Sequence, residues 1–405
     1  MIEITHNPYD GVDWSSVTLR KFDYHIHAED EFWDGPHETV DWYLGNRESD
    51  NGYFIPSGEE YDYLTSSVGS ETYWEGDDGW EFSAIDSEFE DRDPVEEGTV
   101  AFPSMEDKDP KDGGCGREYH PYSLFADIDD TDEYENETMY DAIENILAST
   151  ERGVPEPRSV IAHPARHYDG DPADHVEDFT EYFEDFPLDG LWGLECFNKA
   201  MDPWRDSIGC EDSTPFWSDV ALWDHLLMRF APNRMIWGFG ADDASNPHYG
   251  DYLDRRFNAI ALEEDEYDVE DQDASRQAAV DAIDQGRFFA CRRETWDPEF
   301  NSPPEIPVIE SIDVDESEGE ITVEVEQDNA EVYWISGPAT FPDREPGNVV
   351  ETGETIQLED FHAPYVRAHV IIENSPIGET TTQPFGVTGG YDVELGDAEI
   401  GDGEF

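Results

Sequence analysis

The sequence has few positive charges and no long apolar run, and each shortage excludes a class of protein. Only 22 of the 405 residues are lysine or arginine, against 101 acidic residues, so the formal net charge is -79. Without a cluster of basic residues to neutralise phosphates, binding to nucleic acid is not expected. No stretch is long and apolar enough to span a bilayer, so membrane insertion is not expected either.

Cysteine is also scarce, which bears on the compartment. The four cysteines, Cys115, Cys196, Cys210 and Cys291, show no paired spacing, as is typical of buried or free thiols in a reducing environment. The opening segment MIEITHNPYDGVDW has neither a basic nor an apolar stretch, so no secretory signal is visible. We therefore expect a cytoplasmic protein.

The acidity favours a folded protein in concentrated salt. High net charge also occurs in disordered chains, but 12 Trp, 19 Tyr and 22 Phe are too many aromatic residues for a solvated one. In molar salt the Debye length falls to about 3 Å, so neighbouring carboxylates barely repel one another. With only four lysines, the chain is expected to be a halophilic, archaeal protein that needs molar salt to stay folded.

The hydrophobic periodicity changes after about residue 300. Before that point short apolar strands alternate with helices such as Trp217–Phe230, which is typical of βα units in a parallel sheet or barrel. After the linker Asn301–Pro304, segments such as ITVEVEQ and YVRAHVIIE alternate apolar and polar residues and predict an antiparallel sandwich. The expected division is a domain at 1–302, a β domain at 303–388 and an acidic, glycine-rich tail at 389–405.

Four segments place an imidazole or a carboxylate where a short buried strand ends. They are Asp23–His27 (DYHIH), Ile161–Pro164 (IAHP), Gly193–Glu195 (GLE) and Gly240–Asp243 (GADD). In a parallel barrel all strands end at one face, so these side chains are expected to converge. Histidine and carboxylate ligands at one mouth suit divalent metals and metal-assisted hydrolysis.

The His25-Ile26-His27 pattern is central to this expectation. Because strand side chains alternate with period two, both imidazoles point to the same face and can reach one ion. The alternative is two partly exposed histidines without a ligand role. Asp23, ahead of the pair, is expected to accept a hydrogen bond from an imidazole and to orient it.

Six segments, taken in order, resemble the PHP family, the polymerase and histidinol phosphatase metal-dependent phosphoesterases. They are DYHIH, FPSME, YHPYSLF, IAHPAR, GLECFN and WGFGADDAS, and the similarity spans about residues 8 to 295. The segments NPYDGVDW, QGRFFACR, YVRAHV and TTQPF resemble a PHP subgroup with a C-terminal β domain. The resemblance implies an α/β fold, a distorted (β/α)7 barrel followed by a small immunoglobulin-like sandwich, with Mn, Zn or Fe ions at the strand ends.

The resemblance also implies a set of metal ligands. His25 and His27 correspond to the ligands from the first strand. Glu106 corresponds to the carboxylate that bridges two ions, although it could equally be one of the many exposed acids. His120 and His163 correspond to further imidazole ligands.

Further positions are implied near the mouth of the barrel. Asp243 corresponds to the aspartate of a closing Asp-x-His motif, and Glu195 to a ligand or to a residue behind the ligands. Asp34 and His37 lie in and beside a remnant of the Ser-Asp-Gly that follows the first motif, and are candidate catalytic residues. Arg166 is a candidate for binding phosphate or for offsetting the acidic rim.

The chain also departs from the family pattern. The Thr-Asp-His motif after the second strand is missing, since no histidine occurs between His37 and His120. The closing imidazole is replaced by Ser245, although His248 could substitute through a shifted loop. One or two ions are therefore expected instead of three.

Three functions remain open at this point. The first is a metal-dependent hydrolase that cleaves a small phosphorylated substrate through a metal-activated water. The second is a PHP-like protein that has lost catalysis and keeps a binding or structural role. The third is an amidohydrolase-type enzyme, which also begins with His-x-His but usually needs a mid-barrel lysine; none of the four lysines lies at a suitable strand end. The substrate and the oligomeric state cannot be inferred.

Overall fold

The fold was obtained as a computed structural model, in which strands outnumber helices. The residues that the structure describes are 3–26, 61–65, 95, 98–102, 104–106, 120–127, 138–151, 155–164, 172–198, 219–243, 254–293, 305–337, 347–359, 361–372 and 378–388. Every structural statement that follows concerns these residues.

The elements are numbered in chain order. The strands before residue 300 are β1 (Glu3–His6), β2 (Val17–Asp23), β3 (Tyr63–Thr65), β4 (Val100–Phe102), β5 (Ser104–Glu106), β6 (His120–Leu124), β7 (Ala126–Asp127), β8 (Thr150–Glu151), β9 (Arg158–Ala162), β10 (Leu191–Asn198), β11 (Trp237–Ala241), β12 (Arg256–Glu263) and β13 (Phe288–Arg293). The described α-helices are α1 (Met139–Ala148), α2 (Pro172–Asp185), α3 (Asp219–Phe230) and α4 (Gln272–Asp284), and Glu264–Glu266 forms a 3-10 helix. The later strands are β14 (Ile309–Asp315), β15 (Glu320–Val325), β16 (Ala330–Ile335), β17 (Val349–Thr352), β18 (Thr355–Gln357), β19 (Tyr365–Ile372), β20 (Gly378–Thr382) and β21 (Phe385–Thr388).

Two helices have end signals that the sequence shows, although the last helix begins at Gln272, four residues earlier than its periodicity from Arg276 suggests. Thr138 caps α1, because its hydroxyl accepts a hydrogen bond from the Asp141 backbone N–H at 3.1 Å. Gly286 follows α4 with φ of +78°, the left-handed conformation that ends many helices. Within the described chain, the structure contains no helix that is long and apolar enough to cross a membrane.

The strands of the expected barrel are parallel only in part. β2, β3 and β4 pair in parallel, and so do β9, β10 and β11. β6, however, runs antiparallel to both β5 and β9, and β12 runs antiparallel to β2. The described residues therefore form a mixed arrangement, in which β11-β10-β9-β6-β5 is one sheet and β2-β3-β4 belongs to another. A complete (β/α)7 barrel is not established by these pairings.

The second sheet continues through the expected domain boundary. Its order is β1-β21-β19-β20-β13-β12-β2-β3-β4, with β16 and β17 attached beside β19. β13 lies before the expected linker and β20 after it, and they pair antiparallel with Cys291 opposite Thr380. The two expected domains thus share one sheet, which differs from the separate barrel and sandwich that the change in periodicity suggests. β20, with the sequence GETTT, is buried throughout and lies between β13 and β19.

The shared sheet buries both of its faces. On β13, Phe288 packs into the core with α3 and α4, whereas the next residue, Phe289, packs into a core with Ile312 and Trp334 of the later strands. Neighbouring residues of a strand point to opposite faces, so one strand serves two cores. The three-stranded sheet β14-β15-β18 covers the second core, which gives the C-terminal region its layered form.

Two side-chain amides join β11 to the shared sheet. The amide of Asn258 accepts from the Gly240 N–H at 2.9 Å and donates to the Gly240 carbonyl at 2.8 Å. The amide of Gln383 makes the same pair of bonds with Gly238, at 2.9 and 2.8 Å. Glycine is needed at position 240, because a Cβ there would lie 2.6 Å from the Phe257 carbonyl oxygen. These amides give hydrogen-bond partners to the backbone N–H and C=O groups of Gly238 and Gly240.

Candidate metal centre

Five of the candidate residues lie at or near one end of the strands. His163 and Asp243 follow the ends of β9 and β11, which are parallel strands on either side of β10, and Glu195 lies within β10. His25 follows the end of β2. His120 begins β6, and because β6 runs antiparallel to β9, His120 lies opposite Ala162 at the same end of the strands. The expected convergence is therefore observed for these residues.

His25, His163 and Asp243 form a tight group that we call the ligand cluster. One ligand atom of each residue lies within 4.8 Å of those of the other two, and all three residues are buried. His25 Nε2 is 3.4 Å from Asp243 Oδ1, and the rings of His25 and His163 have centroids 5.6 Å apart.

The ligand cluster fits a divalent ion. Two ligands that each lie about 2.1 Å from a tetrahedral zinc ion are about 3.4 Å apart, and neutral imidazole and carboxylate are common zinc ligands. The same donors also suit manganese and iron. The donor chemistry and the spacing between His25 and Asp243 are thus compatible with a metal centre.

Glu195 lies behind the ligand cluster and is completely buried. Its Oε1 is 2.7 Å from His25 Nδ1 and accepts from the Tyr24 hydroxyl at 3.0 Å. Its Oε2 accepts from the backbone N–H of His163 at 2.7 Å and from the Asn198 amide at 2.6 Å. Burial, and next the charge of Glu195, raise the pKa of Tyr24 well above its ordinary value, so its phenol keeps the proton that it donates.

Asp23 does not have the role that its position suggests in sequence. It was expected to accept a hydrogen bond from an imidazole, but its two oxygens accept from the backbone N–H groups of His25 and Asp242, at 3.0 and 3.3 Å. Because the carboxylate of Asp23 accepts from backbone N–H groups of both segments, it joins the end of β2 to the end of β11. Burial, and then the nearby Asp242, raise the pKa of Asp23 well above its ordinary value.

The two acids of the GADD segment have different roles. Asp243 belongs to the ligand cluster, whereas the carboxylate of Asp242 accepts three backbone N–H bonds from Asp254, Arg255 and Arg256, at 2.7 to 2.9 Å. Burial raises the pKa of Asp242 to about 6, although these hydrogen bonds oppose the change. Asp242 therefore holds the start of β12 in place beside Asp243.

The backbone at two candidate ligands is unusual. His163 has φ of +27° and Asp243 has φ of +45°, in the region that residues other than glycine rarely adopt. Such conformations persist only where the surroundings fix them, and they concentrate at functional sites. Here the Glu195 carboxylate holds the His163 N–H, and the His25 carbonyl accepts from the Asp243 N–H at 3.0 Å.

Of the remaining predicted residues, one lies beside the ligand cluster, and the side chains of the others are not described. His120 is buried, and its ring is 5.0 Å from that of His163, but it is not part of the three-residue group in the described structure. Glu106 ends β5 opposite Tyr122, and its side chain is outside what the structure describes. His27, Asp34, His37 and Arg166 lie outside the described residues.

Sequence reasoning missed the residues that support Glu195. Tyr24 lies inside the DYHIH segment and Asn198 ends the GLECFN segment, but neither residue type signals a metal centre by itself. The only available signal was position, since Asn198 follows Glu195 by three residues where β10 ends.

Together these observations define a mixed α/β protein with a buried cluster of two imidazoles and one carboxylate at its strand ends. No protein-family profile matches the sequence, and no curated protein matches it. A solved structure that resembles the chain is a two-domain protein from Bacteroides vulgatus containing a predicted PHP-like metal-dependent phosphoesterase. The sequences are 13% identical, the match covers 92% of this chain and 94% of that one, and the TM-score is 0.40. A likeness at this identity and TM-score establishes neither a family nor an activity.

Proposed function

We propose that this protein is a metal-dependent hydrolase of the PHP type that cleaves a small phosphoester. The observation that carries the proposal is the convergence of His25, His163 and Asp243, which come from three separate strand ends, into one buried group. The sequence segments around these residues are those that resemble the PHP family. Structural ion pairs do not require two imidazoles, whereas metal hydrolases commonly use them.

Each residue has a role in this proposal. His25, His163 and Asp243 would hold a Mn, Zn or Fe ion, and His120, beside His163, would contribute to a second ion together with Glu106. A divalent cation supplies two things when bound, activation of water at neutral pH and positive charge for the phosphate oxygens. The charge matters here, because a protein with a formal net charge of -79 repels a phosphoester unless cations offset the repulsion.

Turnover in molar salt tests the proposal. Protein freed of metal should hydrolyse none of a broad panel of phosphoesters, and added manganese should restore activity toward at least one. A His25→Ala, His27→Ala double variant should remain inactive with manganese, because His25 belongs to the ligand cluster and the family resemblance implies that His27 is a second ligand. The matched control is His362→Ala, which removes an exposed histidine from the segment before β19 and should leave turnover unchanged.

Two results would contradict the proposal in different ways. Hydrolysis that is equally fast with and without metal would exclude the mechanism. Stoichiometric binding of metal without hydrolysis of any phosphoester would instead favour the non-catalytic PHP-like protein. The missing Thr-Asp-His motif and Ser245 in place of histidine are the sequence features that support this alternative.

A further inference from the structure

Glu195 has no position left for a metal ion. Its two oxygens have four close neighbours, the Tyr24 hydroxyl and His25 Nδ1 at Oε1, and the His163 N–H and the Asn198 amide at Oε2. A carboxylate has about four lone-pair positions, so these contacts fill them. A cation at Glu195 would have to displace at least one bond of 2.6 to 3.0 Å inside a fully buried site.

The same contacts determine which nitrogen of His25 carries the proton. An ionised carboxylate only accepts hydrogen bonds, so His25 Nδ1, 2.7 Å from Oε1, must be the protonated nitrogen. In a neutral imidazole the other nitrogen, Nε2, then has the lone pair. Nε2 is the atom that lies 3.4 Å from Asp243 Oδ1 in the ligand cluster.

We propose that Glu195 is a positioning residue that holds His25 in the tautomer able to bind a metal through Nε2, and that Glu195 is not itself a ligand. The proposal rests on the metal site proposed above and assigns a residue that the sequence left as either ligand or support. Carboxylates behind metal-binding histidines commonly have this role. Here the same carboxylate also holds the His163 backbone, so it fixes two candidate ligands at once.

Replacing Glu195 by glutamine makes the proposal testable. The His163 N–H is an obligatory donor and the Asn198 amide donates beside it, so the glutamine carbonyl is expected to occupy the Oε2 position. The glutamine NH2 then faces His25 Nδ1, which can accept its hydrogen bond only after losing its proton. Glu195→Gln should therefore invert the His25 tautomer and place the proton on Nε2, where it opposes metal binding.

The experiment has two readouts in molar salt. Long-range ¹H–¹⁵N spectra of metal-free protein with labelled histidine, assigned with a His25→Gln variant, should show the Nδ1–H form in the wild type and the Nε2–H form in Glu195→Gln. Equilibrium dialysis should show about 10–100-fold weaker zinc binding by Glu195→Gln with the same number of ions per chain. Glu324→Gln, the same change at an exposed carboxylate that accepts from the Ser311 hydroxyl of the C-terminal strands, should change neither the tautomer nor the affinity.

The outcomes separate this proposal from the proposed function. An unchanged tautomer in Glu195→Gln, or one ion fewer per chain, would overturn the positioning role. If Glu195→Gln does not fold, the wild-type spectrum still decides, since an Nε2–H form there contradicts the proposal. A wild-type protein that binds no zinc, but whose tautomer inverts in the variant, would overturn the metal site and retain the effect of Glu195 on His25.

Discussion

Two buried acidic groups in this molecule, Asp224 and Asp243, have different partners. Asp224 of α3 pairs with Arg367 of β19: Oδ1 accepts from Nε at 3.0 Å and Oδ2 from Nη2 at 2.9 Å, while the Tyr365 hydroxyl donates to Oδ1 at 2.7 Å. In the ligand cluster, by contrast, Asp243 faces the imidazole of His25 at 3.4 Å.

The difference separates an ion pair that is neutralised within the protein from a group of candidate metal ligands. The Arg367 guanidinium neutralises Asp224 within the protein, so the pair needs no external cation. The pair also joins a helix of the N-terminal region to the C-terminal strands. The ligand cluster brings together donor atoms of the kind that bind metals. We therefore expect changes at Asp224 and Arg367 to affect folding, and changes in the ligand cluster to affect metal affinity.

The largest effect on stability is expected for Arg367→Met. Removing one partner leaves Asp224 buried and uncompensated, which should lower the free energy of unfolding by about 3–5 kcal/mol. Urea denaturation in molar salt measures this, with Arg229→Met as the control: Arg229 pairs with Glu177 on the surface, so its loss should change stability by less than about 1 kcal/mol. Zinc affinity that falls as far in Arg367→Met as in His25→Ala would remove the distinction between the two sites.

Glu379, a second buried carboxylate paired with arginine, should make the stability of the protein sensitive to acid. Burial would raise the pKa of Glu379, but Arg292 at 2.6 Å and His369 at 3.2 Å hold it at about 2, below its ordinary value of 4.5. Because the folded-state pKa is lower than the unfolded one, this stabilisation is present above pH 4.5 and is lost as the pH falls toward 2. The loss should be on the order of 3 kcal/mol.

Burial also lowers the pKa of His369, so the folded state disfavours its charged form. Stability therefore begins to fall below pH 6.5, the ordinary pKa of histidine, in the same direction as the effect of Glu379. Urea midpoints between pH 7 and about pH 2.5 measure both effects in the wild type and in Glu379→Gln. A variant that loses stability with acid as steeply as the wild type between pH 4.5 and 2.5 would contradict the assignment to Glu379.

The smallest loss of stability is expected on removal of an uncharged side chain that pairs with backbone groups. Asn258→Leu removes the amide that pairs with both backbone groups of Gly240, which should lower stability by about 1–3 kcal/mol. Gln285→Leu, which removes an exposed amide bonded to the carbonyl of Asp281, should change stability by about 0.5 kcal/mol or less. Equal effects of the two variants would show that the amide bridge does not hold β11 in place.

The sequence predicted the strand ends of the site better than the sheet that carries them. His25, His163 and Asp243 each end a short apolar segment, which is a local pattern, and the structure brings them together. Their role as ligands remains a prediction. The pairing of β13 with β20 was not predicted, because Cys291 and Thr380 are 89 positions apart and a contact at that separation leaves no local pattern.

Contacts between distant polar side chains were the least predictable. Gln383 pairs with Gly238 across 145 positions, and Glu195 pairs with His25 across 170, so neither contact leaves a periodic pattern in the sequence. The predicted role of Asp23 was wrong for a related reason: its position two residues before His25 suggests a hydrogen bond to the ring, but its carboxylate accepts from the His25 backbone N–H.

The central claim is that the ligand cluster binds a divalent metal, and equilibrium dialysis of metal-free protein against zinc or manganese in molar salt tests it most directly. The wild type and the His362→Ala control should bind one or two ions per chain. His25→Ala, His163→Ala and Asp243→Ala should each bind fewer ions or bind them far more weakly, while remaining folded by circular dichroism. A wild-type protein that binds no more metal than these three variants would contradict the claim.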